Sequence, residues 1–259
     1  MPAPTLRPAI WRRWLPGLLY CALAALQVVP LAAAESAPAT VAPASAALVV
    51  PAPLRLNYAI HGRVSHIPYR ASGSLLWTHD GRTYESRLEV HMFLLGSREQ
   101  ISRGRITPAG LQPLHFNDRV RNDRTVEFDY KEARIRFSEG TAPVALPAGA
   151  QDHLSVFLQL ATLIGAAPQR YPKGTEVTLP AMGIYGPESW SIVVSGEERL
   201  SLPGGELATL KLTRAPARPD EPSAELWLAP ALGWLPARIR LTQGEGDVVD
   251  QLWRGSETP

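Results

Sequence analysis

Asp152, His153 and Ser155 are the residue types of an acid, a base and a nucleophile, and they fall within four positions of one stretch, QDHLSVFLQL (151–160). A serine hydrolase assembles those groups from separate parts of its chain, so that the imidazole faces the hydroxyl with the carboxylate behind it. On a helix, Asp152 and Ser155 share one side of the first turn and His153 points about 100° away. That placement suits a cap. The Asp152 carboxylate can accept from the free N–H groups of the first turn, where negative charge is also favourable. No G-x-S-x-G elbow occurs anywhere in the chain. The expectation is a helix cap at Asp152 and no catalytic residue from this stretch.

Other residue types that could do chemistry are scattered. His61, His66, His79, His91, His115 and His153 form no H-x-x-x-H or other compact ligand pair, so no metal site is expected. Glu197 and Glu198 are neighbours whose side chains diverge on a strand, and Glu85 and Glu89 fall on a solvated strand face, so neither pair suits glycoside hydrolysis. Gly183 and Gly186 occur without a phosphate-cradling motif, and no cofactor is expected. Cys21 is the single cysteine. It precedes the folded part of the chain, which therefore has neither a disulfide nor a thiolate site.

The elements that must position these residues follow a leader-like segment. Arg7, Arg12 and Arg13 precede an apolar run from Trp14 to Leu31, and Ala32-Ala33-Ala34 offers small residues for cleavage. Residues 1–34 are expected to be a signal peptide of an exported, periplasmic protein; retention as an inner-membrane anchor is the alternative. After cleavage no transmembrane span is expected. Taking its three arginines from the 26 basic residues leaves 23 against 24 acidic ones. A near-neutral mature chain lacks the electrostatic footprint of a nucleic-acid binder. Residues 35–53 are rich in Ala, Pro and Ser and read as a tether. Residues 54–254 are long enough for a single β-rich domain with its own core, and 255–259 are expected to be a disordered tail.

Strand patterns dominate 54–254. Leu54, Leu56, Tyr58 and Ile60 alternate with Arg55, Asn57 and Ala59, the period of a half-buried strand. In SLLWTHDGRTYESRLEVHM, Asp80-Gly81 predicts a two-residue type I′ turn that sets His79 opposite Arg82 and Trp77 opposite Tyr84. Tyr84, Ser86, Leu88, Val90 and Met92 then share one face. About a dozen such strands joined by tight turns, with no βαβ alternation, predict a mainly β fold: an antiparallel meander forming a curved sheet or open barrel. Charged residues on the alternate set, such as Arg87, Glu89, Arg238 and Arg240, argue against lipid-facing strands. One helix is expected, over 152–164. Leu154, Phe157, Leu158 and Ala161 form its apolar stripe, Val156, Leu160, Leu163 and Ile164 widen it, and Ser155, Gln159 and Thr162 leave a narrow polar strip. At about 1.5 Å per residue it spans only ~20 Å, too short for a bilayer, so it must be covered by the sheet.

QDHLSVFLQL, the earlier GRITPAGLQPLHF, and ELWLAPALGWLPARIRLT followed by GDVVDQLW together resemble the bacterial family known as domain of unknown function 3108, over nearly all of 54–254. The resemblance implies a cell-envelope setting and a mostly β fold, and brings no catalytic residues. At the level of fold, LWLAPALGWLPARIRL also looks like part of the half-barrels that carry lipoproteins across the periplasm.

These features point to a non-enzymatic envelope protein holding a lipid-like or other hydrophobic ligand in its curved sheet. Leu154, Phe157, Leu158, Ala161, Trp77, Tyr84 and Trp190 are the candidates to line that cavity or, if it is filled, to form the core. The alternatives are a scaffold module that docks on another envelope protein and a hydrolase whose site is assembled from distant residues.

Overall fold

The structure, a computed structural model, describes residues 48–92, 96–140, 142–216, 222–243 and 246–259. The leader-like residues 1–34 lie outside the described residues. A first meander comprises β1 (Leu54–Val64), β2 (Ile67–His79), β3 (Thr83–Met92), β4 (Gly96–Thr107), β5 (Gly110–Arg119), β6 (Asp123–Asp129), β7 (Arg134–Phe137) and β8 (Val144–Ala145). After β9 (Gln151–Asp152) and the helix α1 (Ser155–Ala166) comes a second: β10 (Glu176–Gly183), β11 (Gly186–Leu202), β12 (Gly205–Arg214), β13 (Ser223–Leu228), β14 (Pro236–Gln243) and β15 (Asp247–Glu257). The two join edge to edge where β1 pairs with β15, giving one 15-stranded sheet whose free edges are β8 and β9. The sheet is curved and does not close on itself, as the strand pattern predicts.

Alternation decides which face is inner. Leu56, Tyr58 and Ile60 are wholly buried on β1, and Leu75 and Trp77 on β2. The sheet wraps α1. Leu154, just before the helix, and Leu158 and Ala161 within it pack into a cluster built on β1–β3 and β5–β7. The opposite side, Val156, Phe157, Leu160 and Ile164, packs into a second cluster built on β10–β14. A helix without a single charged residue is stable in water only when covered this way. Fully burying each large apolar side chain contributes about 1.5–3 kcal/mol.

Several local expectations are corrected. The helix runs from Ser155 to Ala166 rather than over 152–164, because Gln151 and Asp152 are drawn into a short strand beside Ala181 and Met182. That pairing is parallel, unlike the antiparallel rest of the sheet, since a helix lies between the two strands and carries the chain back to its starting side. The β2–β3 hairpin closes on His79 opposite Tyr84, with Trp77 opposite Ser86. Asp80 Oδ1 accepts from the N–H groups of Arg82 and Thr83, at 2.8 and 2.7 Å, which draws both residues into the loop. Gly81 has φ 84°, but Asp80, the other central residue of the expected turn, does not join it at positive φ, as a type I′ turn requires. The register moves by two residues and each side chain keeps its face.

The strand β15 extends past residue 254 and pairs with β1: Gly255, Ser256 and Glu257 lie opposite Asn57, Leu56 and Arg55. The end of the tether is also held. Pro51 is buried, and its carbonyl accepts from Trp77 Nε1 at 2.8 Å, with His79 Nε2 at 2.9 Å from the same oxygen.

Candidate functional site

The acid of the opening stretch is wholly buried at the start of α1. Asp152 Oδ1 accepts from the backbone N–H groups of Leu154 (2.9 Å) and Ser155 (2.7 Å), and the Asp152 N–H donates to Ser155 Oγ at 2.9 Å. This reciprocal pairing caps the turn that leads into the helix; Leu154, directly before the helix, makes no side-chain cap bond. Asp152 Oδ2 accepts from Ser102 Oγ of β4 at 2.6 Å. Ser102 has one proton to give, so the Tyr84 hydroxyl, 3.1 Å from the same oxygen, is the donor to it. One carboxylate thus ties β3, β4, β9 and α1 together. Loss of water pushes the Asp152 pKa up, against the bonds from Ser102, Ser155 and Leu154. Burial raises Tyr84 and takes Tyr130 up to about 12, and in both the Asp152 charge adds to the shift. Ser86, opposite Ser102 across β3 and β4, is buried, and its hydroxyl makes no hydrogen bond among the described residues.

Two glutamines fasten the same segment to β5. Gln151 Nε2 donates to Leu111 O at 2.9 Å, and Leu111 N–H donates to Gln159 Oε1 at 2.8 Å. Gly110 has φ 121°, and a Cβ there would meet the Gln159 amide at 2.4 Å, so this approach requires glycine. The polar strip of the helix is therefore turned inward and satisfied.

His153, next to Asp152, points to the rim. Its Nε2 lies 3.1 Å from Glu188 Oε1, and Glu188 Oε2 accepts from Trp190 Nε1 at 2.8 Å. The Arg214 guanidinium stacks 4.8 Å from the Trp190 ring centroid. Desolvation works to raise Glu188, but the hydrogen bond and charge of His153, the Trp190 N–H and the Arg214 charge outweigh it, and the pKa falls to about 2. Nearby, Arg98 grips Asp118 with two bonds of 2.8 and 2.5 Å. Burial again opposes ionisation of Asp118; Arg98, Arg124 and His153 reverse it and lower the pKa.

Asp152, His153 and Ser155 therefore do not converge: the Ser155 hydroxyl is engaged with Asp152 and the imidazole with Glu188. Among the described residues no three His, Cys, Asp or Glu side chains are grouped to hold a metal ion. Trp77, Tyr84, Leu154, Leu158 and Ala161 are buried in the first apolar cluster, and Phe157 and Trp190 in the second. Trp77 and Tyr84 lie 5.4 Å apart between ring centroids, and Phe157 and Trp190 6.0 Å. Phe157, Leu158 and Ala161 belong to α1 itself, which fills the space between the cluster holding Trp77 and Tyr84 and the cluster holding Trp190.

The family model for proteins of unknown function called DUF3108 matches residues 71–252. The chain belongs to the DUF3108 family. Among solved structures, it is similar to a beta-barrel-like protein of domain of unknown function DUF1849 from Brucella abortus, at 9% identity and a TM-score of 0.54, covering 82% of this chain and 100% of that one. MucB aligns at 12% identity with a TM-score of 0.32, over 80% of this chain and 53% of its own. A DUF1329 family protein from Desulfovibrio piger aligns at 10% identity with a TM-score of 0.29, over 80% and 86%. The first likeness supports the fold of this DUF3108 member; the other two are too low to carry an argument. No curated protein matches.

In this DUF3108 chain the polar groups that do meet come from afar. Asp118 lies on β5 and Glu188 on β11, and no spacing in the sequence announces that both turn toward His153. Among the described residues no helix is long and apolar enough to cross a membrane.

Proposed function

We propose that the protein is an exported envelope protein of the periplasm that has no catalytic role and binds a lipid-like or other hydrophobic ligand on the inner face of its curved sheet. α1 holds that space when the ligand is absent. The observation that supports this reading is the helix itself. It is uncharged and buried on both sides between two apolar clusters, inside a sheet that is not closed. An apolar ligand displacing it would meet the same side chains, and the polar groups at its start would return to water or pair again.

The export part of the proposal rests on the leader-like residues 1–34. The rival reading, a module docking on another envelope protein through its arginine-bearing face, is weakened by pairing on that face. Arg87 and Arg119 both hold Glu99, at 2.7 and 2.6 Å, and Arg103 holds Glu85 at 2.7 Å, so much of its charge is spent internally.

Native mass spectrometry of the purified protein, with extraction of whatever co-purifies, tests the reading. A bound lipid, or stoichiometric uptake of added oleate, is the expected result. A clean ligand-free mass that persists with excess oleate would contradict it and favour the docking module.

A further inference from the structure

The inner apolar face of the sheet does not stop where the core stops. On β1 the inward positions Leu56, Tyr58 and Ile60 are wholly buried and continue outward as Gly62 and Val64. Their partners on β2 continue as Ala71, Tyr69 and Ile67, and Val249 of β15 lies opposite Gly62. The Tyr69 ring covers Gly62, where a Cβ would come within 2.0 Å of it. From His61 to Val64 and from Ile67 to Ser72 no residue is buried, so this end of the hairpin projects past the core. Ile67, at its tip, is 61% exposed, more than any other large apolar side chain described.

The hairpin end also carries two arginines, Arg63 and Arg70. Arg63 donates to Gly246 O through Nε and Nη2, at 3.2 and 3.1 Å, at the base of the turn. Arg70 is exposed and makes no ion pair among the described residues. Among the described residues Asp247 lies beside them, and it accepts from Ser65 N–H at 2.7 Å. A surface depression of about 680 Å³ opens next to Arg70, with Ser72, His91 and Ser97 among its lining residues.

We propose that the β1–β2 hairpin tip is a docking surface for an anionic lipid bilayer. Ile67 and Val64 enter the boundary between headgroups and acyl chains, and Arg70, with Arg63 behind it, meets lipid phosphate. An apolar residue at a turn, flanked by cations and continuous with an apolar sheet face, fits a surface that is oily beneath and negatively charged above. A protein partner would satisfy the apolar side equally well; the cations favour the bilayer. The proposal stands without the interior ligand, and either can fail alone.

The test places an environment-sensitive nitrobenzoxadiazole probe on Ile67→Cys in a Cys21→Ser background. It is titrated with phosphatidylglycerol vesicles and, separately, with phosphatidylcholine vesicles. A probe on Val193→Cys, 39% exposed on β11, is the control. The expected result is a brighter, blue-shifted emission at position 67 with phosphatidylglycerol, little with phosphatidylcholine, and little at 193. Arg70→Glu is expected to weaken the partition roughly tenfold or more, since each surface cation contributes about fivefold. A probe at 67 that stays in water with phosphatidylglycerol, or that responds no more than the one at 193, overturns the proposal.

Discussion

Asp152 and Glu188 lie on either side of His153, in contact with the same short segment, yet their acidities move in opposite directions. Asp152 is sealed in the interior with hydroxyls and N–H groups around it, and desolvation wins: its pKa rises. Glu188 is partly exposed on the rim, and a His and an Arg close by reverse the desolvation, taking it to about 2. At Asp152 the neutral donors do not offset full burial, whereas at the half-wet Glu188 the nearby positive charge does. One position in sequence separates a carboxyl that locks a helix in place from an ion pair that closes the rim above it.

Substitutions can break this contrast, the largest effect coming first. Asp152→Ala leaves two N–H groups and the Ser102 hydroxyl without their acceptor inside the protein, and should cost about 2–4 kcal/mol in denaturant unfolding. Ser102→Ala removes one donor from the buried carboxylate and should cost about 1–2 kcal/mol. Glu188→Gln keeps the shape of the rim and loses the charge, a loss of about 1 kcal/mol at neutral pH, reduced by solvent. Arg103→Ala on the outer face should change stability by less than about 0.5 kcal/mol.

Titration sharpens the same comparison. A raised folded pKa means the folded state binds the proton more tightly, so the contribution of Asp152 falls as pH climbs from 3.8 through its raised value. A lowered one gives Glu188 a contribution that is complete above 4.5 and lost as pH falls toward about 2. Stability measured against Asp152→Asn should thus slope down with rising pH, and against Glu188→Gln down with falling pH. Equal slopes would refute the contrast.

Much of the architecture is legible in local pattern. The alternation of Leu56, Tyr58 and Ile60 marks one inner face, the uncharged and mostly apolar run 154–164 demands a covered helix, and Asp152 with Ser155 three positions on signals a cap. What escapes is set by side chains that compete with the backbone or by contacts made across long distances. Asp80 captures the N–H groups of Arg82 and Thr83 and so lengthens a loop that reads as two residues. Gln151 and Asp152 make a strand too short to carry a period, and only β10 beside them defines it. The closure of β5 onto the helix depends on Gln159, which reads only as part of a narrow polar strip and is buried with the Leu111 N–H donating to it. His153 finds Glu188 and comes within reach of the Asp118 charge only because two strands from different meanders end at the same rim.

The central claim is that α1 is the occupant a hydrophobic ligand replaces. Amide hydrogen exchange of residues 156–165, with and without saturating oleate, tests it most directly. If the claim holds, these amides are among the best protected in the ligand-free protein and exchange much faster when oleate is bound, while those of β1 and β15 are unchanged. Oleate bound at one equivalent with full protection retained along α1 would contradict it.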